Sequence, residues 1–173
     1  MGSGGTAATG LAVSLPVTVS GALNMSGATL TVPTLTLSGT LTSQGGTGFG
    51  DTIMTPGGGG LTNNGTIQYS GALHTLALAG AGAAYTQGTQ GTLIFRLGNG
   101  QTSDLFTISG AATLAGTVNF VAQGNLNARQ VWTVITAGGG FGGTDFTQKI
   151  YPNDGNPRWA AGPPVGGFYT VQN

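Results

Sequence analysis

From Ala28 to Thr42 the chain reads ATLTVPTLTLSGTLT, with Leu30, Val32, Leu35, Leu37 and Leu41 set between threonines. Strict alternation of apolar and polar residues is the signature of a half-buried strand, because successive side chains leave opposite faces of the backbone. Pro33-Thr34 interrupts the alternation and predicts a corner, since proline cannot donate to a ladder. GTVNFVA (116–122) and QVWTVIT (130–136) read as strands by their β-branched and aromatic content. No stretch of ten residues free of glycine carries apolar residues at helical spacing, so no helix is predicted.

The alternation is itself repeated. A Gly-Thr-aliphatic triplet recurs at Gly39-Thr40-Leu41, Gly65-Thr66-Ile67, Gly91-Thr92-Leu93 and Gly116-Thr117-Val118, in steps of 26, 26 and 25 residues. Ser-Gly pairs precede similar runs, at Ser20-Gly21, Ser38-Gly39 and Ser109-Gly110 among others. Short strands at a constant step, punctuated by Gly, Asn and Ser, predict an all-β fold: a right-handed parallel β-helix, or β-solenoid, with coils of about 26 residues and an irregular C-terminal cap. Stacked coils satisfy one another's backbone and complete a shared core. A β-sandwich or jelly roll is the alternative; it explains the alternation but not the constant step. The expected organisation is a tail or cloning scar at 1–10, the solenoid at 11–146, and a cap or inter-subunit segment at 147–173.

Charge is nearly absent. Arg96, Arg129, Lys149, Arg158, Asp51, Asp104, Asp145 and Asp154 are the only charged residues among 173, and they sum to zero. An average protein carries about a quarter. Steering toward nucleic acid or anionic lipid is therefore not expected, whereas self-association is, since the repulsion that keeps proteins apart is missing. The 35 glycines follow no G-X-Y period, which excludes collagen. Absence of cysteine excludes disulfides, zinc–thiolate sites and thiol catalysis. The apolar runs fall far short of the roughly 18 residues a membrane-spanning helix needs, so no membrane insertion is expected.

Several motifs come near to chemistry. GGTGFGDTI (Gly45–Ile53) is one residue from the calcium-binding repeat G-G-x-G-x-D-x-U-x. The repeat needs Asp at its sixth position, where Gly50 stands; Asp51 is one late, and in a strand such a slip reverses the face. GGGFGGTDF, with Asp145, fails in a similar way, and the two lie too far apart to share an ion. The expectation is a glycine-rich corner in which Asp51 stabilises a turn through its own backbone, with no metal or cofactor. Gly57–Gly60 lacks the Lys-Ser or Lys-Thr of a phosphate loop. Gly98-Asn99-Gly100 reads as a tight turn.

His74, the sole histidine, is the one side chain whose ordinary titration falls near neutrality. It stands in GALHTLALAG, read as an alternating strand, with no neighbouring carboxylate and no strained nucleophile turn, so it is expected to be structural or solvent-facing. The four aspartates fall in separate coils, and no catalytic residue is predicted. Tyr151, Arg158, Trp159, Phe168 and Tyr169 crowd the last segment as a candidate interaction surface. Exposed aromatics there would suit glycans; the plainer expectation is a cap over the open end of the core, with Arg158 stacked beside Trp159. The sequons Asn24-Met25-Ser26 and Asn64-Gly65-Thr66 matter only in a eukaryotic secretory setting.

One resemblance emerges. Gly91-Thr92-Leu93, Ser103-Asp104, Ile108-Ser109-Gly110-Ala111-Ala112-Thr113-Leu114, Gly116-Thr117-Val118 and Gln130-Val131-Trp132-Thr133-Val134-Ile135, with the glycine loop before Phe146, resemble the passenger-associated strand repeat of autotransporter passenger domains. It covers residues 91–146, a third of the chain. The resemblance implies a parallel β-helix near the C-terminal end of a secreted or surface-displayed passenger. No outer-membrane barrel follows within the sequence, so the export route is not carried over. The expected function is that of an extracellular or bacterial cell-surface structural solenoid, a fibre subunit or adhesin-like passenger segment that is not an enzyme. Its expected partners are other copies of itself and surface glycans. The alternatives are a carbohydrate-binding module or a polysaccharide-active β-helix enzyme.

Overall fold

The structure is a computed structural model that describes residues 10–46, 50–127, 129–153, 159–162 and 164–173. The strands come in rounds of three, and each round adds one strand to each of three sheets. The first round is β1 (Gly10–Ala12), β2 (Val17–Val19) and β3 (Ala22–Met25); the second is β4 (Thr29–Thr31), β5 (Leu35–Leu37) and β6 (Thr40–Ser43). Next come β7 (Asp51–Met54), β8 (Gly60–Asn63) and β9 (Thr66–Tyr69), then β10 (Thr75–Ala79), β11 (Ala84–Gln87) and β12 (Thr92–Leu97). The fifth round is β13 (Leu105–Ile108), β14 (Ala112–Thr113) and β15 (Thr117–Ala122). Afterwards β16 (Val131–Ala137) joins the first sheet and β17 (Gln148–Ile150) the third. Last, β18 (Ala160–Ala161) and β19 (Phe168–Gln172) extend the first sheet.

Every ladder among these strands is parallel except the two made by β19, with β16 and with β18. A sandwich or jelly roll is built of antiparallel neighbours, so that alternative does not describe this chain. Parallel strands need a crossover rather than a hairpin, and here the other two strands of each round supply it. The parallel pattern runs past residue 146, because β17 pairs in parallel with β15.

The Gly-Thr-aliphatic triplets lie in register. Thr40 pairs with Thr66, Thr66 with Thr92 and Thr92 with Thr117; Leu41, Ile67, Leu93 and Val118 do the same one position on. All four aliphatic residues are fully buried while the threonines are half-exposed. Each such burial is worth roughly 1.5–3 kcal/mol. The glycine that opens the triplet is required by close stacking: a Cβ at Gly65 would overlap the carbonyl oxygen of Gly39, and one at Gly39 that of Gly21.

The step is not constant, however. On the third sheet Ala22 pairs with Thr40, 18 residues on, and Thr117 with Gln148, 31 residues on. The strands set the register, and the corners between them absorb insertions, as loops over a surface do. Inward side chains of all three sheets form one apolar cluster. Within it an aromatic column runs from Tyr69 through Phe95, its ring 5.6 Å away, and Phe120, paired with Phe95, to Tyr151, stacked at 5.7 Å on Phe120. Among the described residues the only helical element is a 3-10 turn at Asn99–Gln101, with Gly100 at φ 69°, the tight turn expected there. Among the described residues no helix is long and apolar enough to cross a membrane.

Candidate functional site

The corner between the third sheet and the first gathers most of the buried polar chemistry. Asp51 opens β7 and points inward, 1% exposed. Its Oδ1 accepts a hydrogen bond from Ala28 N at 2.9 Å; its Oδ2 accepts from Ser43 Oγ at 2.6 Å and from Gln44 N and Gly45 N at 3.1 Å. Asp51 therefore holds, through its side chain, the opening of the glycine-rich corner that leads into it, and it also reaches the start of the round before. The inward face of a strand end is the place from which one carboxylate can reach several chain ends that the ladders leave unpaired. Four N–H and O–H donors thus share this one carboxylate, three of them on Oδ2. Among the described residues no group of three or more His, Cys, Asp or Glu could hold a metal. Part of the glycine-rich nonapeptide, 47–49, lies outside the described residues.

His74 stands one residue ahead of β10, in the corner rather than in the strand where the sequence put it. Carboxylates are also near it, contrary to the sequence reading. Its backbone N donates to Asp104 Oδ1 at 3.3 Å, and Ser43 Oγ, bonded to Asp51, lies 2.8 Å from its Nε2. Nδ1 lies 2.8 Å from the Ala72 carbonyl oxygen. The order is Asp–Ser–His, with the hydroxyl in the middle. A nucleophilic triad needs the imidazole in the middle and an exposed hydroxyl, whereas Ser43 is fully buried. The trio instead ties three successive rounds together. Half-buried His74, with Leu73 and Thr75, lines two shallow surface depressions, one reaching Gln44 and Gly50, the other Gln101 and Thr133.

One round further, Arg96 is buried in β12 and paired with Asp104: Nε to Oδ2 at 2.7 Å, and a second guanidinium nitrogen to Oδ1 at 2.8 Å. Its remaining donors meet the carbonyl oxygens of Ser70, Gly71 and Ala72. The pair is bidentate and its donors are satisfied, the condition under which a buried ion pair is tolerated. Sequence reasoning missed Ser43, Arg96 and Asp104 as a set. A signal was present: Asp51 and Arg96 are the only charges before residue 100, and a charge in so apolar a repeat needs a partner.

Tyr69 packs its ring edge-on to His74 at 5.3 Å and donates its hydroxyl to Leu105 O. Burial, with a smaller contribution from the Asp104 charge, holds its phenol well above the ordinary range. Tyr85 is also pushed up by burial.

The candidate interaction surface is largely turned inward. Tyr169 is fully buried, its hydroxyl donating to Asp145 Oδ1 at 2.9 Å; burial first, then the Asp145 charge, raises its phenol. Asp145 also holds Lys149 Nζ at 2.6 Å. Tyr151 and Trp159 are half-buried and extend the aromatic column: Trp159 stacks on Tyr151 at 6.3 Å and on Trp132 at 5.7 Å. Of the group, Phe168 is exposed, and Arg158 lies outside the described residues.

No protein-family model, curated protein or solved structure matches the chain.

Proposed function

We propose that the chain winds as a right-handed parallel β-helix and serves as an extracellular or bacterial surface structural element, a fibre subunit or adhesin-like passenger segment that acts by stacking and self-association. It performs no bond-making chemistry in this role. The observation that carries the reading is the topology, in which every third strand pairs in parallel, β1 with β4, β4 with β7 and β7 with β10. Right-handedness follows from the near-universal hand of parallel crossovers. A rod of this kind gains stiffness with each added round, because neighbours satisfy one another's backbone.

The surface chemistry supports self-association. Among the described residues β1, β2 and β3 are edge strands of their three sheets. Leu11 is 62% exposed and Leu15 70%. No charge falls between Leu11 and Leu41, so the edge lacks the lysines with which proteins commonly guard against pairing. A second copy is the occupant of this edge. Size-exclusion chromatography with electron microscopy of the pure protein tests the reading: assemblies are expected, and Leu11→Lys with Leu15→Lys should dissolve them. A strictly monomeric species at high concentration would refute it.

A further inference from the structure

We propose that Asn99 is a site of spontaneous modification, where the side-chain amide closes on the backbone nitrogen of Gly100 and is exchanged for a carboxylate. The inference goes beyond the self-association reading and does not depend on it. The chain contains two Asn-Gly pairs, Asn64-Gly65 and Asn99-Gly100. Glycine after asparagine leaves the attacking nitrogen unshielded by any Cβ. The sequence treats the two pairs as equals, and both asparagines are exposed. The fold sets them apart.

At Asn64 the backbone is held along its length. Asn64 N donates to Leu37 O at 2.7 Å, Gly65 N to Asn63 Oδ1 at 3.1 Å and Thr66 N to Gly39 O at 2.9 Å. Gly65 stacks so closely on Gly39 that no Cβ fits between them. The nitrogen that would attack is already engaged as a donor. Turning it toward Cγ of Asn64 requires one round to part from the next.

Asn99-Gly100 instead forms the tip of the 3-10 turn between β12 and β13. The turn is closed at its base, where Gly98 N donates to Thr102 O at 2.7 Å. At the tip Gly100 is exposed, has φ 69°, and a Cβ on it would meet nothing within 4 Å. Two bonds prepare the reaction. Asn127 N donates to Asn99 Oδ1 at 3.2 Å, so an N–H stands at the oxygen on which negative charge develops during attack. Thr102 Oγ1 donates to Asn99 O at 2.7 Å and polarises the second carbonyl of the imide that forms.

The steps balance without oxidant or cofactor. Gly100 N bonds to Asn99 Cγ and gives its proton to solvent. The Cγ–Nδ2 bond breaks, and the nitrogen takes up a proton and leaves as ammonia. Closure within one chain needs no encounter between partners. Water then opens the cyclic imide. Attack at Cγ gives aspartate; attack at the Asn99 carbonyl carbon, which Thr102 polarises, gives isoaspartate, with the main chain rerouted through Cγ. Either product adds a negative charge to a chain whose charges sum to zero, beside the depression lined by Gln101, Thr102 and Ser103.

The test incubates the full, folded chain in warm, mildly alkaline buffer and follows both sites by peptide mass spectrometry, with isoaspartate distinguished by its fragment ions. Conversion at Asn99 is expected to run at least about tenfold faster than at Asn64, the scale on which one extra hydrogen bond to be broken raises a barrier. In urea, where neither pair is held, the two rates should converge. A smaller ratio in the folded chain overturns the proposal. So does an Asn99 that stays intact while the urea-treated chain converts. A preference for Asn99 that persists unchanged in urea would belong to the local sequence and overturns the structural account. No variant is needed, so the result does not depend on whether an altered chain folds.

Discussion

The guanidinium of Arg96 grips the carboxylate of Asp104 from two nitrogens, eight residues apart in sequence, and closes the loop between β12 and β13 over a buried ion pair. Asp104 Oδ2 also accepts the backbone N of Arg96, so each partner depends on the other. Removing one leaves the other as an uncompensated buried charge. Arg96→Met and Asp104→Asn should each destabilise the fold by about 3–5 kcal/mol. A double-mutant cycle by urea denaturation should show that the double variant costs much less than the sum of the two. Additive losses would mean that the pair is not coupled.

Two glycines separate close packing from open space. A Cβ at Gly65 would meet the backbone of Gly39 and Ser38, whereas one at Gly21 meets nothing within 4 Å. Gly65→Ala must shift one round against the next and should cost about 1–3 kcal/mol, the scale of overpacking. Gly21→Ala should stay within about 0.5 kcal/mol, as surface substitutions do. Thermal melts of the two variants side by side measure the contrast; equal melting temperatures would contradict the stacked corner.

Tyr69 and Tyr85 are pushed upward by burial. In the unfolded chain a tyrosine ionises near pH 10. A phenol whose folded value is raised stabilises the fold below that pH, and the stability is lost as pH climbs above it. Two such groups give a slope of about 3 kcal/mol per pH unit beyond roughly pH 10. Absorbance at the phenolate band should therefore rise together with the loss of far-ultraviolet circular dichroism. Phenolate appearing from these residues while the strands persist would show that the rings are not enclosed.

Trp159 lies flat against both Trp132 and Tyr151, and Trp132 donates its indole N–H to Gly98 O at 2.8 Å. Trp159→Ala should uncover this end of the aromatic column and cost about 2–4 kcal/mol, near the lower range for a buried ring because Trp159 is only half-buried. Chemical denaturation followed by the fluorescence of the remaining tryptophan measures the loss. A glycan-binding surface predicts the opposite pattern, with binding lost and stability kept.

The sequence by itself determined the strands, their faces and the register of the middle rounds. Leu41, Ile67, Leu93 and Val118 alternate with threonine at a near-constant step, and a period of two leaves only one face for each residue. The Gly of each triplet was legible for the same reason, since close stacking leaves no room for a side chain. Tertiary structure alone decided the corner. Ser43, Asp51, His74, Arg96 and Asp104 sit where strands end, and the corners vary in length, so no fixed spacing announces that they meet. It also decided which way the last aromatics face. Composition marks Tyr151, Trp159 and Tyr169 as alike, but whether a ring meets solvent or the column beneath it depends on the path of the chain, which pairing across distant rounds sets and no local pattern encodes.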